Sequence, residues 1–314
     1  MSRTTAISRR TMLAAAGAAG ALGALSLPAT ASAAPRTAPG GSRPVIGRAR
    51  GEWLHAMSFN VRYDREGETR PGDPDYWPER APLTTAFLRL EQPTILGVQE
   101  AEFNQLAAVE EGLGRGYAMA GYGRDGGAAG EYSAIFYDAR RLTLLWWDQF
   151  WLSDTPKVIG SATWGNSVTR IVTWARFHDA ATGRELVHVS SHFDHQSETA
   201  RVRSAEVVRD LVADAEAPVV FTADCNAAAE SSAAYGVLVT DGGLQDTWRA
   251  AEHRLTPAVG TFPNYGTPTP DGDRIDWILA TPGVEVRAAA INTWTRDGRY
   301  PSDHTPVQAL LRLR

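Results

Sequence analysis

Short apolar runs broken by polar or glycine-rich stretches dominate the chain from residue 51 onward. Residues 54–61 form an apolar run that predicts a buried strand and carries the polar Asn60 at its end. A polar loop follows over 62–77, then a helix over 78–90 with Pro78 in its first turn. Residues 95–98 predict a short strand, followed at once by Gln99 and Glu100. A helix is expected over 104–113 and a strand over 117–122. Residues 132–137 and 142–150 read as an antiparallel pair, and 151–167 as a long loop. The alternating runs 170–177 and 185–191, joined around Gly183, predict a hairpin. Val202, Ala205, Val208, Leu211 and Val212 have helical spacing within 201–212. A short helix is expected over 235–240, a loop over 261–273, and strands over 274–280, 284–293 and 305–313.

The centre of this pattern is residues 218–227, PVVFTADCNA. The apolar part predicts a buried strand, and Asp224 and Asn226 stand two apart at its end. In extended backbone they would face the same way. An Asx turn that merely closes the strand is the plainer reading. Many strands with few long helices do not suit a regular βα barrel, which needs a helix after nearly every strand. Two packed mixed sheets with helices outside fit better.

The first residues follow a different pattern. Arg9-Arg10 precedes an Ala/Leu/Gly-rich run over 14–27 and small residues up to Ala33. A basic start, an apolar run and a small-residue cleavage site predict a signal peptide over 1–33, of twin-arginine type and directing secretion. Residues 34–50, rich in Pro, Gly and Arg, are expected to be a flexible mature terminus, and 51–314 one domain. No later apolar run is long enough to cross a bilayer.

Composition narrows the partners. The chain carries a formal charge of −5, and residues 1–33 hold three arginines and no acidic residue, which leaves −8 for the rest. There is no Lys/Arg stripe for long polyanions, although a local field or a bound metal can reverse a global charge. Cys225 is the single cysteine, so no intrachain disulfide forms; its place after a strand suggests burial.

Polar groups recur at the strand ends: Asn60, Glu100, His192, Asp224 with Asn226, Asp276, and Asp303 with His304. Asp276 lies among apolar neighbours and needs a partner there. These residues sit in Ser58-Phe59-Asn60, Val98-Gln99-Glu100, Ser191-His192-Phe193-Asp194-His195, Ala223-Asp224-Cys225-Asn226, Arg274-Ile275-Asp276-Trp277-Ile278 and Ser302-Asp303-His304-Thr305-Pro306. In this order the six motifs resemble those of the endonuclease/exonuclease/phosphatase superfamily, from Trp53 to the C-terminus. Ala223, Cys225, Ser191 and Thr305 depart from the usual residues, and only Thr305, which replaces an arginine, leaves a position without an assigned role.

The resemblance implies a deoxyribonuclease-like fold, a four-layer α/β sandwich of two packed mixed β-sheets flanked by helices. It also implies a phosphoester hydrolase in which activated water attacks phosphorus directly. Glu100 is then the foremost metal ligand, with Asn60 and Asp303 completing or supporting the shell. Mg²⁺ suits such oxygen ligands, with Mn²⁺ or Ca²⁺ as alternatives. His304 is implied as the general base and Asp276 as the carboxylate that orients it. Asp224 and Asn226 position water and phosphoryl oxygens, and His192 faces the phosphate.

The loops 62–77, 123–130 and 150–170 are expected to rim the pocket. Arg124 and Arg170 are candidates for a second anionic group of the substrate, against plain surface solvation. Trp147, Trp151 and Trp164 could stack on a sugar or base, and Trp146-Trp147 could form an exposed lipid-binding hairpin or a buried strand. Three readings result. The preferred one is a secreted metal-dependent hydrolase of a small phosphoester. The others are an extracellular nuclease and a non-catalytic surface- or carbohydrate-binding domain on the same fold.

Overall fold

The computed structural model describes residues 43–314; the expected signal peptide and residues 34–42 lie outside the described residues. The strands are β1 Leu54–Asn60, β2 Ile95–Gln99, β3 Tyr117–Ala120, β4 Ile135–Asp138, β5 Leu142–Trp151, β6 Ile171–Asp179 and β7 Arg184–His192. They continue with β8 Val219–Asp224, β9 Gln245–Asp246, β10 His253–Arg254, β11 Asp276–Ala280, β12 Glu285–Ile291 and β13 Val307–Arg312. The helices are α1 Trp77–Glu91, α2 Phe103–Leu113, α3 Glu198–Ala213, α4 Ala233–Tyr235 and α5 Thr247–Ala250. A π-helical turn, Gly236–Asp241, continues α4.

One sheet has seven strands in the order β10-β12-β13-β1-β2-β4-β3, the other six in the order β5-β6-β7-β8-β11-β9. Both are mixed: β1–β2 and β7–β8 are parallel pairs, while β1–β13 and β8–β11 are antiparallel. The central strands β1, β2 and β8 are buried along their whole length, which explains their continuous apolar runs. Ala56, Ile95, Phe177, Val220 and Ile278 belong to the core between the sheets. Phe59, Val98, Phe87, Leu88 and Val109 join the first sheet to α1 and α2. Val189, Phe221, Ala205 and Val208 join the second sheet to α3. The four-layer α/β sandwich expected from the sequence is the observed architecture.

The helix boundaries have local causes. Pro78 occupies the first turn of α1, where no backbone N–H is needed. Glu102 and Gln105 form a reciprocal capping box at the start of α2. Ser197 caps α3 by accepting from the Ala200 N–H.

The expected pairing of 132–137 with 142–150 does not form. β4 pairs with β2 and β3 in the first sheet, whereas β5 pairs with β6 in the second. Arg141, between them, binds Asp179 at the end of β6 at 2.8 Å and draws the chain across. Within the stretch expected to be flexible, the N–H groups of Val45, Ile46 and Gly47 donate to the Glu91 carboxylate at 2.7–3.3 Å. The two-residue strands β9 and β10 and the helix α5 fall in a stretch with no predicted element; they are too short to carry a period.

Gly97 sets how closely the sheets approach. A Cβ there would lie 2.1 Å from Thr222 Oγ1 and 2.8 Å from Ser190 Oγ, on β8 and β7 of the facing sheet. We therefore expect Gly97→Ala to cost about 1–3 kcal/mol through overpacking and to lower turnover by separating Asn60 and Glu100 from Asp224. Urea unfolding together with an activity assay checks this. A variant with unchanged stability and turnover would show that the sheets can part there without harm.

Candidate active site

The strand registers bring the polar strand ends together. In the second sheet His192 is paired with Asp224, and Asp224 with Asp276, so one row across β7, β8 and β11 carries all three. In the first sheet Asn60 is paired with Gln99, and Glu100 follows at once. The segment 302–304 leads into β13. Its Ser302 Oγ donates to the Asn60 carbonyl at 2.7 Å and accepts from the His304 N–H at 3.2 Å.

The two sheets are joined at the site by one amide. Asn60 Nδ2 donates to Glu100 Oε1 at 2.8 Å and to Asp224 Oδ2 at 2.9 Å. Asn60 Oδ1 accepts from the Arg62 N–H at 2.9 Å, so Asn60 fastens the carboxylates in place. The structure thus brings it against Asp224 and against Glu100, the foremost metal ligand expected from the sequence. Glu100, Arg62 and Asn226 have φ of 61°, 59° and 47°. Such left-handed backbone is uncommon outside glycine and concentrates at functional sites. It also corrects the route by which Asn226 arrives. The strand does not continue; the Asn226 N–H bonds Asp224 Oδ1 at 2.9 Å in an Asx turn. That turn aims Asn226 Nδ2 at His192 Nε2, 2.9 Å away, and at the Phe193 carbonyl. The structural and functional readings of this pair are one arrangement.

His304 Nδ1 lies 2.9 Å from Asp276 Oδ2, and His304 Nε2 lies 3.6 Å from Asp224 Oδ2. Burial disfavours the imidazolium, but Asp276 and Asp224 outweigh it and raise the pKa of His304 well above 6.5. His192 moves the other way: burial, helped by Arg170 and Arg124, holds it neutral. Because its Nε2 accepts from Asn226, its proton sits on Nδ1, which faces Glu131 at 3.8 Å. Burial pushes Asp224 up to about 7 against the pull of His304, and burial also raises Asp303. For Glu100, burial is overcome by His304, Asn60 and Arg62, and its pKa is lowered.

Arg62, unmarked in the sequence reading, enters this cluster. It lies 3.3 Å from Asp75, 3.5 Å from Asp303 and 3.6 Å from Glu100. Burial works against its charge, but Asp303, Glu100 and Asp75 raise its pKa. Glu131, also unmarked, binds Arg124 at 2.8 Å, and burial raises its pKa to about 7. Neither residue ends a predicted strand in one of the six motifs. Arg170 lies 3.7 Å from Asp194, and its Nη2 is 3.0 Å from His195 Nδ1. Thr305 has a structural role: its N–H and hydroxyl both donate to the Thr261 carbonyl. Thr261 Oγ1 in turn accepts from the Asp276 N–H at 3.1 Å.

These groups line a cavity of about 630 Å³. Arg62 and Tyr63, Arg124, and Val168 with Arg170 reach it from the three loops named from the sequence. The tryptophans do not. Trp151 is buried and donates to the Arg124 carbonyl at 2.7 Å, and Trp164 donates to Asp154 at 2.9 Å. Trp147 packs against Tyr122, and Trp146, half exposed, packs against Trp174 on the edge strand β5. The aromatic residues lining the cavity are Tyr63 and Phe262.

Residues 57–304 match the model of the Endonuclease/Exonuclease/phosphatase family. The chain belongs to this family. An endonuclease/exonuclease/phosphatase protein of Bacteroides vulgatus is 33% identical, with 83% of this chain and 99% of that one covered and a TM-score of 0.76. A family protein of Bacteroides thetaiotaomicron is 31% identical over 85% and 100% of the two chains, with a TM-score of 0.78. The mannosyl-6-phosphatase of the same species is 32% identical over 82% and 99%, with a TM-score of 0.74. No curated protein matches. Proteins of the endonuclease/exonuclease/phosphatase family hydrolyse phosphoesters and generally use divalent metal ions.

The residues present fit such an ion. Among the described residues, Glu100, His192 and Asp224 offer ligand atoms within 4.8 Å of one another, and so do Asp224, Asp276 and His304. Hard oxygen donors predominate, and Asp224 and Asp303 keep raised pKa values because burial outweighs His304 and Arg62 beside them. Asp303 faces Arg62 and stands at the edge of this donor set.

A stability prediction follows. Folded Asp224 holds its proton more tightly than the ordinary value of 3.8 allows. The stability gained is fully present below about pH 3.8 and is lost as pH rises through about 7. His304 has the same sign: its contribution is complete below about 6.5 and is lost as pH rises through its raised pKa. A divalent cation favours the ionised carboxylate and opposes this loss. The melting temperature of chelated protein should therefore fall on the alkaline side, Mg²⁺ should restore it, and Asp224→Asn should flatten the fall. Calorimetric melts across this range check it; chelated and Mg²⁺-loaded protein melting alike at about pH 8 would count against the cluster as a cation site.

Proposed function

We propose that this protein is a divalent-metal-dependent phosphomonoesterase acting on a small phosphorylated molecule outside the cytoplasm. The observation that carries the reading is the His304–Asp276 pair at 2.9 Å, with His304 Nε2 facing Asp224 across 3.6 Å beside Glu100. That gap is too long for a direct hydrogen bond and leaves both atoms turned toward the cavity.

In the proposed reaction a water held between Asp224 and His304 attacks phosphorus, the ester P–O bond breaks, and the leaving alkoxide takes a proton from solvent water to depart as the alcohol. His304 Nε2 takes the proton, while Asp276 keeps the Nδ1–H and stabilises the imidazolium. When bound by Glu100 and Asp224, a divalent cation supplies positive charge that neutralises the phosphoryl oxygens and weakens the hold of His304 on its resting proton. Asn226 gives its two side-chain N–H groups to His192 Nε2 and the Phe193 carbonyl and its backbone N–H to Asp224 Oδ1, so it holds His192 and Asp224 in position at the cavity. Neutral His192 adds no second positive charge beside the cation.

The mannosyl-6-phosphatase relative favours a monoester, and within that class a phosphorylated sugar. The net negative charge of the chain and a cavity of about 630 Å³ favour a compact substrate over long nucleic acid. The basic start, apolar run and small residues of 1–33 support export, and with it a reaction outside the cytoplasm.

His304→Ala should lose roughly two to four orders of magnitude in turnover with Mg²⁺ saturating. Because His304 also offsets the buried charge of Asp276 and Asp224, the variant should melt lower, and turnover is compared at a temperature where it stays folded. Phosphate release from a panel of sugar phosphates and nitrophenyl phosphate, measured beside a thermal melt, decides it. A folded variant keeping more than about a tenth of its turnover would remove His304 from the base role.

A further inference from the structure

The wall of the cavity that faces away from His304 is built by the ends of β6 and β7. Arg170 immediately precedes β6, and His195 follows β7. In the second sheet the order β6-β7-β8-β11 places Arg170, His192, Asp224 and Asp276 on successive strands. The β6 end therefore lies two strand spacings, about 10 Å, from the Asp224 strand. A phosphoryl group held at Asp224 directs the rest of its ester toward this wall.

The wall is electrically balanced. Arg124 is bound to Glu131 at 2.8 Å, and Arg170 faces Asp194 at 3.7 Å. Each guanidinium on this wall therefore stands beside a carboxylate. Arg170, only 4% exposed, directs Nη2 to His195 Nδ1 at 3.0 Å. A guanidinium only donates, so His195 Nδ1 accepts and the ring proton sits on Nε2. The backbone there is fixed as well. Asp194 Oδ1 accepts from the N–H groups of Gln196 and Ser197 at 2.9 and 2.6 Å, and the Asp194 carbonyl accepts from Arg201 Nη1 at 2.9 Å. His195 is exposed, yet it lines the cavity with a neutral N–H donor held by a buried arginine.

Glu131 and Glu102 line the same cavity and offer carboxylate acceptors. Glu131 is presented by a rigid loop. The Arg124 N–H donates to the Glu131 carbonyl at 2.9 Å, and a Cβ at Gly123 would meet the Ala129 carbonyl oxygen at 2.1 Å. The two aromatic residues lie elsewhere: Phe262 packs on His304 at 4.8 Å and Tyr63 packs under Arg62 at 4.5 Å. Among the described residues neither of the two aromatic rings of the cavity stands on this wall, and Val168 is its aliphatic residue.

We propose that His195, held by Arg170, is a specificity-determining residue that donates a hydrogen bond to a hydroxyl of a polyol or sugar phosphate bound in the cavity. The inference rests on the phosphoesterase reading for where the phosphate sits, and it adds the residue that reads the alcohol. Arg170 is a positioning residue, and Glu131 and Glu102 supply acceptors for other hydroxyls.

The test is calorimetric binding of glucose 6-phosphate and of inorganic phosphate to Mg²⁺-loaded His304→Ala protein. The parent should bind the sugar phosphate more tightly than phosphate. Adding His195→Ala should weaken the sugar phosphate about tenfold, the size of one lost hydrogen bond, and leave phosphate within about twofold. His195→Gln, which keeps an N–H donor, should restore part of the difference. Three results overturn the proposal: no preference for the sugar phosphate in the parent, no effect of His195→Ala, or equal weakening of both ligands. Failure of the hydrolase reading shows separately, as absence of phosphate release by protein with His304 intact.

Discussion

Burying negative charge is the constraint on which the rest of this structure depends. Glu100, Asp224, Asp276 and Asp303 are all buried, within a few residues of the line where the two sheets meet. A buried carboxylate without compensation is costly, and its neighbours must supply that compensation or it takes up a proton. Asn60 gives hydrogen bonds to two of the four, His304 a charge-assisted contact to a third, and Arg62 a nearby cation to Glu100 and Asp303. The compensation is incomplete: Asp224 and Asp303 still have raised pKa values. A site in this condition is prepared for a divalent cation, and the cation is also what phosphoester chemistry needs.

The fold exists at this place because the sheets can approach. Gly97 leaves room for Thr222 and Ser190, and the single Asn60 amide then spans from Glu100 in one sheet to Asp224 in the other. The registers of β7, β8 and β11 line up His192, Asp224 and Asp276 on one row. Like charges directly opposite in a ladder oppose pairing. His304 offsets this, since it reaches Asp276 directly and faces Asp224. The same side chain therefore reduces a folding cost and stands where a base is required.

Most of the candidate site was legible in the sequence because each member borders an apolar run. Asn60 and Asp224 end buried strands, Glu100 follows one, Asp276 opens β11 and His304 lies shortly before β13, and a polar residue there needs an explanation. Arg62 and Glu131 carried no such signal: one follows a strand by two residues, and the other leaves a glycine-rich loop. Their roles come from contacts distant in sequence, Arg62 with Asp303 and Glu131 with His192. The false hairpin has a similar cause. β4 and β5 are apolar runs at hairpin spacing, yet β5 pairs along its length with β6 of the other sheet, where Arg141 also binds Asp179. Local pattern fixes which residues extend; it does not fix which sheet receives them.

The central claim is that Glu100 and Asp224, from opposite sheets, hold one cation. Calorimetric titration of Mn²⁺ into Glu100→Gln, Asp224→Asn and the double variant tests it most directly. The account predicts that each single change weakens binding at least about tenfold and that the two losses are not additive, as expected of groups acting on a shared partner. Unchanged Mn²⁺ affinity in both folded single variants would contradict it and place the ion elsewhere.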